Sequence, residues 1–365
     1  MSLEPWDEVW RRNQHLAARL VTSGAVASLV FVTPPAGGLA LRARRYSPLP
    51  GVEVVTPPLV IPRRYGGHRV LGAWSRRALS DVDVLWINDP VVGVAALRPG
   101  RPAVYDVTDD WRSMAQVPRQ RRRLVAAENA LSKRAATVVC SGVLAERWLQ
   151  RYGVSATMIQ NGVDVAGIRA AERRPLPGPG PHAVYVGTLH ANRIDVDLVA
   201  DLAGKFPGTV HLVGPNHLSL VDQDKLQSSG VLLHGPVRAS LVPDWMVSAD
   251  VLICPHVVDA FTLSLDAIKS HEYLATDRPI VATPSSGFQS RTEWGLLVVD
   301  RSGFGEAVLQ GLGMGNHQRA VSADWAQRAT DFVSVLQRSQ GSVIDRVSGQ
   351  QADPARSDGR DIAHI

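Results

Sequence analysis

Residues 183–213 read AVYVGTLHANRIDVDLVADLAGKFPGTVHLV, and this stretch decides the fold. Ala183 to Leu189 is a short continuous apolar run, as expected of a strand buried on both faces. Val196 to Phe206 repeats its apolar residues at helical spacing, and Thr209 to Val213 is apolar again. Strand, helix and strand in that order belong to a parallel sheet with a helical crossover. The alternation continues downstream. Val231 to Leu233, Val251 to Cys254, Pro279 to Thr283 and Leu296 to Val299 read as buried strands, with Ser240 to Ala249, Leu263 to Ala275 and Gly305 to Leu312 as helices.

Upstream the same scheme recurs less cleanly. Ala27 to Thr33, Val52 to Thr56, Val82 to Asn88, Ala103 to Val107 and Thr137 to Cys140 are strand-like, while Gln120 to Arg134 and Leu144 to Tyr152 are helical. The fold class is therefore α/β, with two doubly wound, Rossmann-like parallel-sheet domains. Residues 1–174 form the first and 183–322 the second. The proline- and glycine-rich stretch 175–182 suits neither helix nor sheet and reads as a linker. A helix is expected over 323–340, and the polar, aperiodic residues 341–365 read as a disordered tail. Pro5 to Gln14 leads straight into a helix ending near Leu20, although a doubly wound domain opens on a strand. Either that strand lies outside this sequence or the sheet is built without it.

The 365 residues are about twice a usual domain length, which agrees with two cores. A composition of 45% hydrophobic and 20% charged residues excludes wholesale disorder and fibrous repeats. Apolar runs such as Ala25 to Val32 fall far short of the roughly 20 residues that span a bilayer. Glu4, Asp7 and Glu8 stand where a secretion signal carries positive charge, so a cytoplasmic protein is expected. Cys140 and Cys254 each lie in an apolar run and read as small buried hydrophobes, leaving no material for a disulfide framework. The net charge of +5 conceals an asymmetry: residues 1–175 hold 25 Lys+Arg against 14 Asp+Glu, and the remainder 14 against 20. The basic half suits an anionic surface or substrate, and the acidic half argues against nucleic acid as partner. With 35 arginines to 4 lysines, coding bias is the plainer reading of the same count.

Ligands of open parallel sheets sit beyond the carboxyl ends of the strands, which singles out the loops there. Gly187-Thr188-Leu-His190-Ala-Asn-Arg193 follows the first strand of the second half, Gly214-Pro215-Asn216 the second, His234-Gly235-Pro236-Val237 the third and Pro255-His256 the fourth. In the next helix Asp266, Lys269 and Glu272 fall at i, i+3 and i+6 on one polar face. Such a cation between carboxylates could hold a diphosphate with the lysine and a ribose diol with the glutamate; a surface ion pair is the plainer alternative.

Together Tyr185-Val-Gly187, Gly214-Pro215, His234-Gly-Pro-Val237, Ala249-Asp-Val251 and Lys269-x-x-Glu272-Tyr-Leu-Ala275-x-x-Arg278-Pro-Ile-Val-Ala-Thr283 resemble the donor-binding half of GT-B glycosyltransferases of the group-1, family-4-like branch. The resemblance runs from about Trp6 to Trp325. It implies two domains facing a cleft and transfer of a sugar from a nucleotide-diphosphate donor to an acceptor hydroxyl on a carbohydrate, lipid-linked or small-molecule partner. It also implies that Glu272 binds the ribose, that Gly235, Pro236 and Val237 hold the base by backbone contacts, and that Gly187 admits the diphosphate. Arg193 and Lys269 would neutralise the leaving diphosphate in place of a metal, so that no cofactor beyond the donor is expected. Two positions depart from the family: Ser264 stands where the Glu-x7-Glu pattern has its first glutamate, and Thr188 where arginine is common. The same architecture serves nucleotide-sugar 2-epimerases and non-catalytic partner proteins.

In the first half Tyr105-Asp-Val-Thr-Asp109-Asp110-Trp111 stands at a strand's carboxyl end. Of adjacent carboxylates one can become a general base for the acceptor, and either can cap the following helix. Asp110 is the favoured base, because Asp109 more naturally caps the turn. Asp195-x-Asp197 and Asp222-x-Asp224 have metal-site spacing, but the first opens a helix and the second reads as a polar loop, so no metal site is expected. Asn161-Gly162-Val-Asp164 reads as a structural turn. The absence of Gly-x-Gly-x-x-Gly removes the dinucleotide oxidoreductase fingerprint. His190 is placed for a phosphate or acceptor contact, whereas His256 and His271 read as structural. Arg119 to Arg123 opens a helix that is either a solvated face or a dock for an anionic membrane.

Overall fold

The computed structural model describes residues 1–35, 40–59, 61, 65–114, 117–319, 321 and 324–350, with backbone alone for the last ten. In chain order the first half contains α1 (Arg12–Thr22), β1 (Leu29–Val32), β2 (Arg44–Leu49), β3 (Val52–Thr56), α2 (Gly67–Ala78), β4 (Leu85–Ile87), α3 (Pro90–Ala96), β5 (Ala103–Val107), α4 (Trp111–Met114), α5 (Pro118–Leu131), β6 (Ala136–Val139), α6 (Gly142–Tyr152), β7 (Thr157–Met158) and α7 (Val165–Arg169). Strands β4-β5-β6-β7 form one parallel sheet, and β1-β3-β2 a second in which β2 runs antiparallel. Met1 and Ser2 lie between them. The Ser2 amide donates to the Val32 carbonyl at 2.9 Å, the Asn88 amide to the Met1 carbonyl at 2.9 Å, and the Met1 amine to the Trp86 carbonyl at 2.6 Å. Met1 and Ser2 thus bridge the ends of β1 and β4.

The second half contains β8 (His182–Val186), α8 (Val196–Ala203), β9 (Thr209–Val213), α9 (Leu220–Ser228), β10 (Leu232–Gly235), α10 (Val242–Ser248), β11 (Val251–Cys254), α11 (Ile268–Ala275), β12 (Ile280–Ala282), β13 (Leu296–Val298) and α12 (Phe304–Leu312). Its sheet runs β10-β9-β8-β11-β12-β13, parallel throughout. Strand order reverses between β8 and β11, and the crevice of a doubly wound sheet opens at that reversal. Apolar side chains pack on both faces, Val199, Leu212 and Ile253 on one, Val184, Leu252 and Ile280 on the other. Both cysteines are free and buried, Cys140 in the core of the first half and Cys254 in that of the second.

Helix α13 (Trp325–Gln350) returns to the first half, where Trp325, Ala329, Phe332 and Val335 pack with Leu16, Leu20, Val104 and Val138. Each such buried side chain contributes about 1.5–3 kcal/mol, so this helix is an integral part of the first core. It runs ten residues past the end expected at 340. The expected disorder of residues 351–365 lies outside the described residues.

Other departures have local causes. Strand β2 is an edge strand with exposed arginines at 44 and 45, so it lacks an alternating pattern. Asp222-x-Asp224 lies in α9 rather than in a loop, since Ser219 caps that helix by accepting the Asp222 amide at 3.1 Å. Residues 263–275 are not one helix: a 3-10 turn over Thr262–Ser264 and an extended Leu265 and Ala267 precede α11. Asp266 therefore stands before the helix, not on a face shared with Lys269 and Glu272.

Candidate functional site

A cleft of about 630 Å³ lies between the two halves at the reversal point, lined from both sides. On the donor side Gly187 leaves β8 with φ 148°, a conformation that disfavours any side chain, and a Cβ there would collide with the Lys269 Nζ. Gly214 (φ 140°) is in the same state, and its Cβ would run into the Gly187 carbonyl. Two glycines side by side thus keep the cleft floor open to backbone approach.

Lys269 projects from the first turn of α11, with Nζ 4.6 Å from the centre of the Tyr185 ring. The Tyr185 hydroxyl bonds the His256 Nε2 at 3.1 Å, and the His256 Nδ1 bonds the Ser286 Oγ at 2.8 Å. Burial, then the nearby Lys269 and Arg193 charges, hold His256 neutral, far below the usual imidazole range. Glu272 follows Lys269 by one turn, and among the described residues no side chain donates a hydrogen bond to it. Burial raises its carboxyl, against the pull of Lys269 and His271. Arg193 stacks 5.4 Å above the Phe261 ring, its Nε is buried without a partner, and it forms no ion pair among the described residues. His190 stacks on His217 with ring centres 5.1 Å apart, and burial first, then Arg193, push it down to about 4. Thr188, Pro236 and Val237 also line the cleft. Gly235 (φ 68°) does not; its carbonyl accepts the Gly214 amide at 2.8 Å.

Asp266 departs from expectation. Its Oδ2 accepts the Asn161 amide at 2.5 Å and its Oδ1 meets the His271 Nε2 at 2.8 Å, so both oxygens are committed within the protein. Asp266 still borders the cleft, but each of its oxygens is already engaged by a protein group. His271 is likewise structural, while His256, expected to be structural, sits in the cleft wall.

On the acceptor side the two aspartates are placed differently from expectation. Asp110 is turned away from the cleft, where its carboxylate meets Arg147 and Arg151 at 2.8 Å each and accepts from the Ser113 Oγ at 2.9 Å. Burial alone would raise its pKa, but the hydrogen bonds and charge of Arg151, with Ser113 and Arg147, hold it at about 2. A carboxylate so paired makes a poor base. Asp109 faces the cleft, with one hydrogen bond from the Thr108 Oγ1 at 3.0 Å, and burial raises its pKa against the field of Arg193 across the gap.

Several contributors escaped sequence reasoning. Arg12 grips Asp106 through Nε and Nη2 at 3.1–3.2 Å, both residues being buried. Trp10, His15 and Trp325 form an aromatic wall, with His15 stacked on Trp325 at 4.5 Å and 5.2 Å from Trp10. The two chain segments in that wall are some three hundred residues apart, so no local signal announces it. Among the described residues no three His, Cys, Asp or Glu side chains are grouped to hold a metal ion, and no helix is long and apolar enough to cross a membrane.

Family models match both halves: Glycosyltransferase Family 4 over residues 9–166, and Glycosyl transferases group 1 over residues 180–313. The chain belongs to the group-1, family-4-like glycosyltransferases. A curated relative of these glycosyltransferases, the putative teichuronic acid biosynthesis glycosyltransferase TuaH of Bacillus subtilis (strain 168), is 24% identical over 218 residues. That match covers 54% of this chain and about half, 55%, of the relative's length. Among solved structures, the E. coli trehalose-6-phosphate protein bound with UDP-2-fluoro glucose superposes with a TM-score of 0.65 at 12% identity, over 97% of this chain and 98% of that one. Sucrose-phosphate synthase from Thermosynechococcus elongatus gives 0.62 at 15% identity over 93% of both chains. Anabaena HepE in complex with UDP gives 0.55 at 17% identity, over 82% of this chain and 86% of that one. At these identities the likeness concerns the fold, and the fold is GT-B: two Rossmann-like domains across a cleft.

Proposed function

We propose that this glycosyltransferase moves a sugar from a nucleotide-diphosphate donor to an acceptor hydroxyl without a metal ion. The observation that carries the reading is the juxtaposition in one cleft of two cations without a carboxylate partner in hydrogen-bond contact, Arg193 and Lys269, with the unengaged carboxylate of Glu272 one turn from the lysine. The cations neutralise a leaving diphosphate, Glu272 receives the ribose hydroxyls, and the Pro236–Val237 backbone flanks the base. On the opposite wall Asp109 takes the acceptor proton as the acceptor oxygen bonds the anomeric carbon, and the bond from that carbon to the diphosphate breaks with its electron pair leaving on the diphosphate. Uridine is the first nucleotide to test, because HepE and the E. coli protein carry UDP or a UDP-sugar.

Charge-assisted hydrogen bonds are worth about 1.5–3 kcal/mol, so Glu272→Ala is expected to weaken UDP binding roughly ten- to hundredfold, as read by calorimetry. Unchanged affinity in a folded variant removes Glu272 from the donor site. Product analysis separates transfer from the alternatives: a 2-epimerase releases an isomerised sugar without an acceptor, and a non-catalytic partner turns nothing over.

The basic half supports a membrane-surface reading as well. Val117 is half exposed at the start of α5, beside exposed Arg119, Arg121 and Arg122. Binding to vesicles containing phosphatidylglycerol, lost at high salt and on replacing the three arginines by alanine, is the expected result. Equal flotation of wild type and triple variant would dismiss this surface.

A further inference from the structure

Asn161 reads in sequence as a turn residue, yet in the folded chain it is a junction of three separate segments. It is 7% exposed, and every polar atom it carries is engaged. Its amide donates to the Asp266 Oδ2 at 2.5 Å, and its side-chain Nδ2 donates to the Asp266 carbonyl. The Arg12 Nη1 donates to its Oδ1 at 3.3 Å, and the Arg328 Nε donates to its carbonyl at 3.1 Å. Arg12 is itself held by Asp106 at the end of β5 and by the Gln160 carbonyl at 3.2 Å. A buried path of hydrogen bonds therefore runs from Asp106 through Arg12 and Asn161 to Asp266, and on to His271 within α11.

The far end of this path needs outside support. Helix α11 begins with Ala267 at its N-cap position and receives no side-chain cap. A missing cap forgoes about 1 kcal/mol of local stability and leaves the entry angle of the helix to its surroundings. Asp266, immediately before that start, is fixed on one side by Asn161 and on the other by His271. Lys269 and Glu272 lie in the first turn and a half beyond it. A misplacement of about 1 Å at such groups is enough to cost on the order of 10² in rate.

We propose that Asn161 is a positioning residue, which ties the acceptor half to the start of α11 so that Lys269 and Glu272 are held facing the cleft. The consequence for nucleotide rests on the donor-site reading above, whereas the consequence for the helix does not. An ordinary turn asparagine bonds its own neighbouring backbone; this one spans to a residue 105 positions away, in the other half.

The experiment uses the full chain as wild type, Asn161→Ala, Arg12→Lys, and Val199→Ala as a core truncation of the same donor half that leaves the path intact. Hydrogen exchange over residues 265–275 and UDP affinity by calorimetry are measured on each, beside melting temperature. Asn161→Ala is expected to speed exchange in α11 and to raise the UDP dissociation constant tenfold or more, with Arg12→Lys showing both in lesser degree. Val199→Ala should lose melting temperature with neither change, which a merely structural role for Asn161 would not predict. Faster α11 exchange with unchanged UDP affinity, or with no UDP binding in wild type, upholds the positioning and overturns the nucleotide site. Wild-type exchange in α11 of folded Asn161→Ala overturns the proposal, and if that variant fails to fold, the same outcome in Arg12→Lys does so.

Discussion

Replacing Arg193 by alanine is expected to lower kcat on the order of 10²-fold or more while the donor KM rises far less, and Lys269→Ala is expected to do the same. Both cations face the cleft without carboxylate partners in hydrogen-bond contact, so their charge is held ready for an anion that grows as the donor bond breaks. The measurement is steady-state kinetics with UDP-sugar donors, with and without EDTA. Turnover that survives chelation in wild type and collapses in either variant supports cationic stabilisation by the protein. Activity lost on chelation and restored by Mg²⁺ or Mn²⁺ would refute it.

For the adjacent aspartates, Asp109→Asn is expected to cut turnover by roughly 10² to 10⁴ while preserving fold and UDP affinity. A base must be unprotonated to act. Because burial raises the Asp109 pKa, activity should rise with pH through a carboxyl titration displaced upward from the ordinary range. Asp110→Asn should behave differently, keeping kcat and losing stability. The folded pKa of Asp110 is held at about 2, below its ordinary 3.8, so its contribution is complete above the latter and is lost as pH falls toward the former. That contribution amounts to about 2 kcal/mol, and the difference in melting temperature between wild type and variant should shrink across that acid window. Near-wild-type kcat in both variants would leave the departing phosphate as the proton acceptor.

What the sequence discloses depends on how locally each feature is determined. Buried parallel strands are continuous apolar runs, and Val52 to Thr56, Ala103 to Val107, Thr209 to Val213 and Val251 to Cys254 coincide with observed strands. That Gly187 and Arg193 border the cleft was legible because the loops after parallel strands open there; Lys269 and Glu272, which border it too, were legible from their spacing on one helix face. The ranking of Asp109 and Asp110 was not legible. It turns on Arg147 and Arg151, which α6 brings over from about forty residues away. Asp266 was misplaced because its i, i+3, i+6 spacing assumes an unbroken helix, and Leu265 and Ala267 are extended. The edge strand β2 and the bridging Met1 and Ser2 carry no periodicity, being defined only by what they pair with.

The return of α13 to the first core means that the chain crosses between the two cores twice, once after Gly162, where Val163 and Ile168 already pack in the donor-side core although they precede residue 174, and once before Trp325. These two crossings touch: a Cβ at Gly162 would strike the backbone of Trp325 at 2.8–2.9 Å. Two covalent tethers lying side by side act mechanically as a door hung on one edge. They permit rotation about a line near that edge and resist twisting or separation of the leaves. If Asp109 and Arg193 act as proposed, rotation about that edge sets the distance between them.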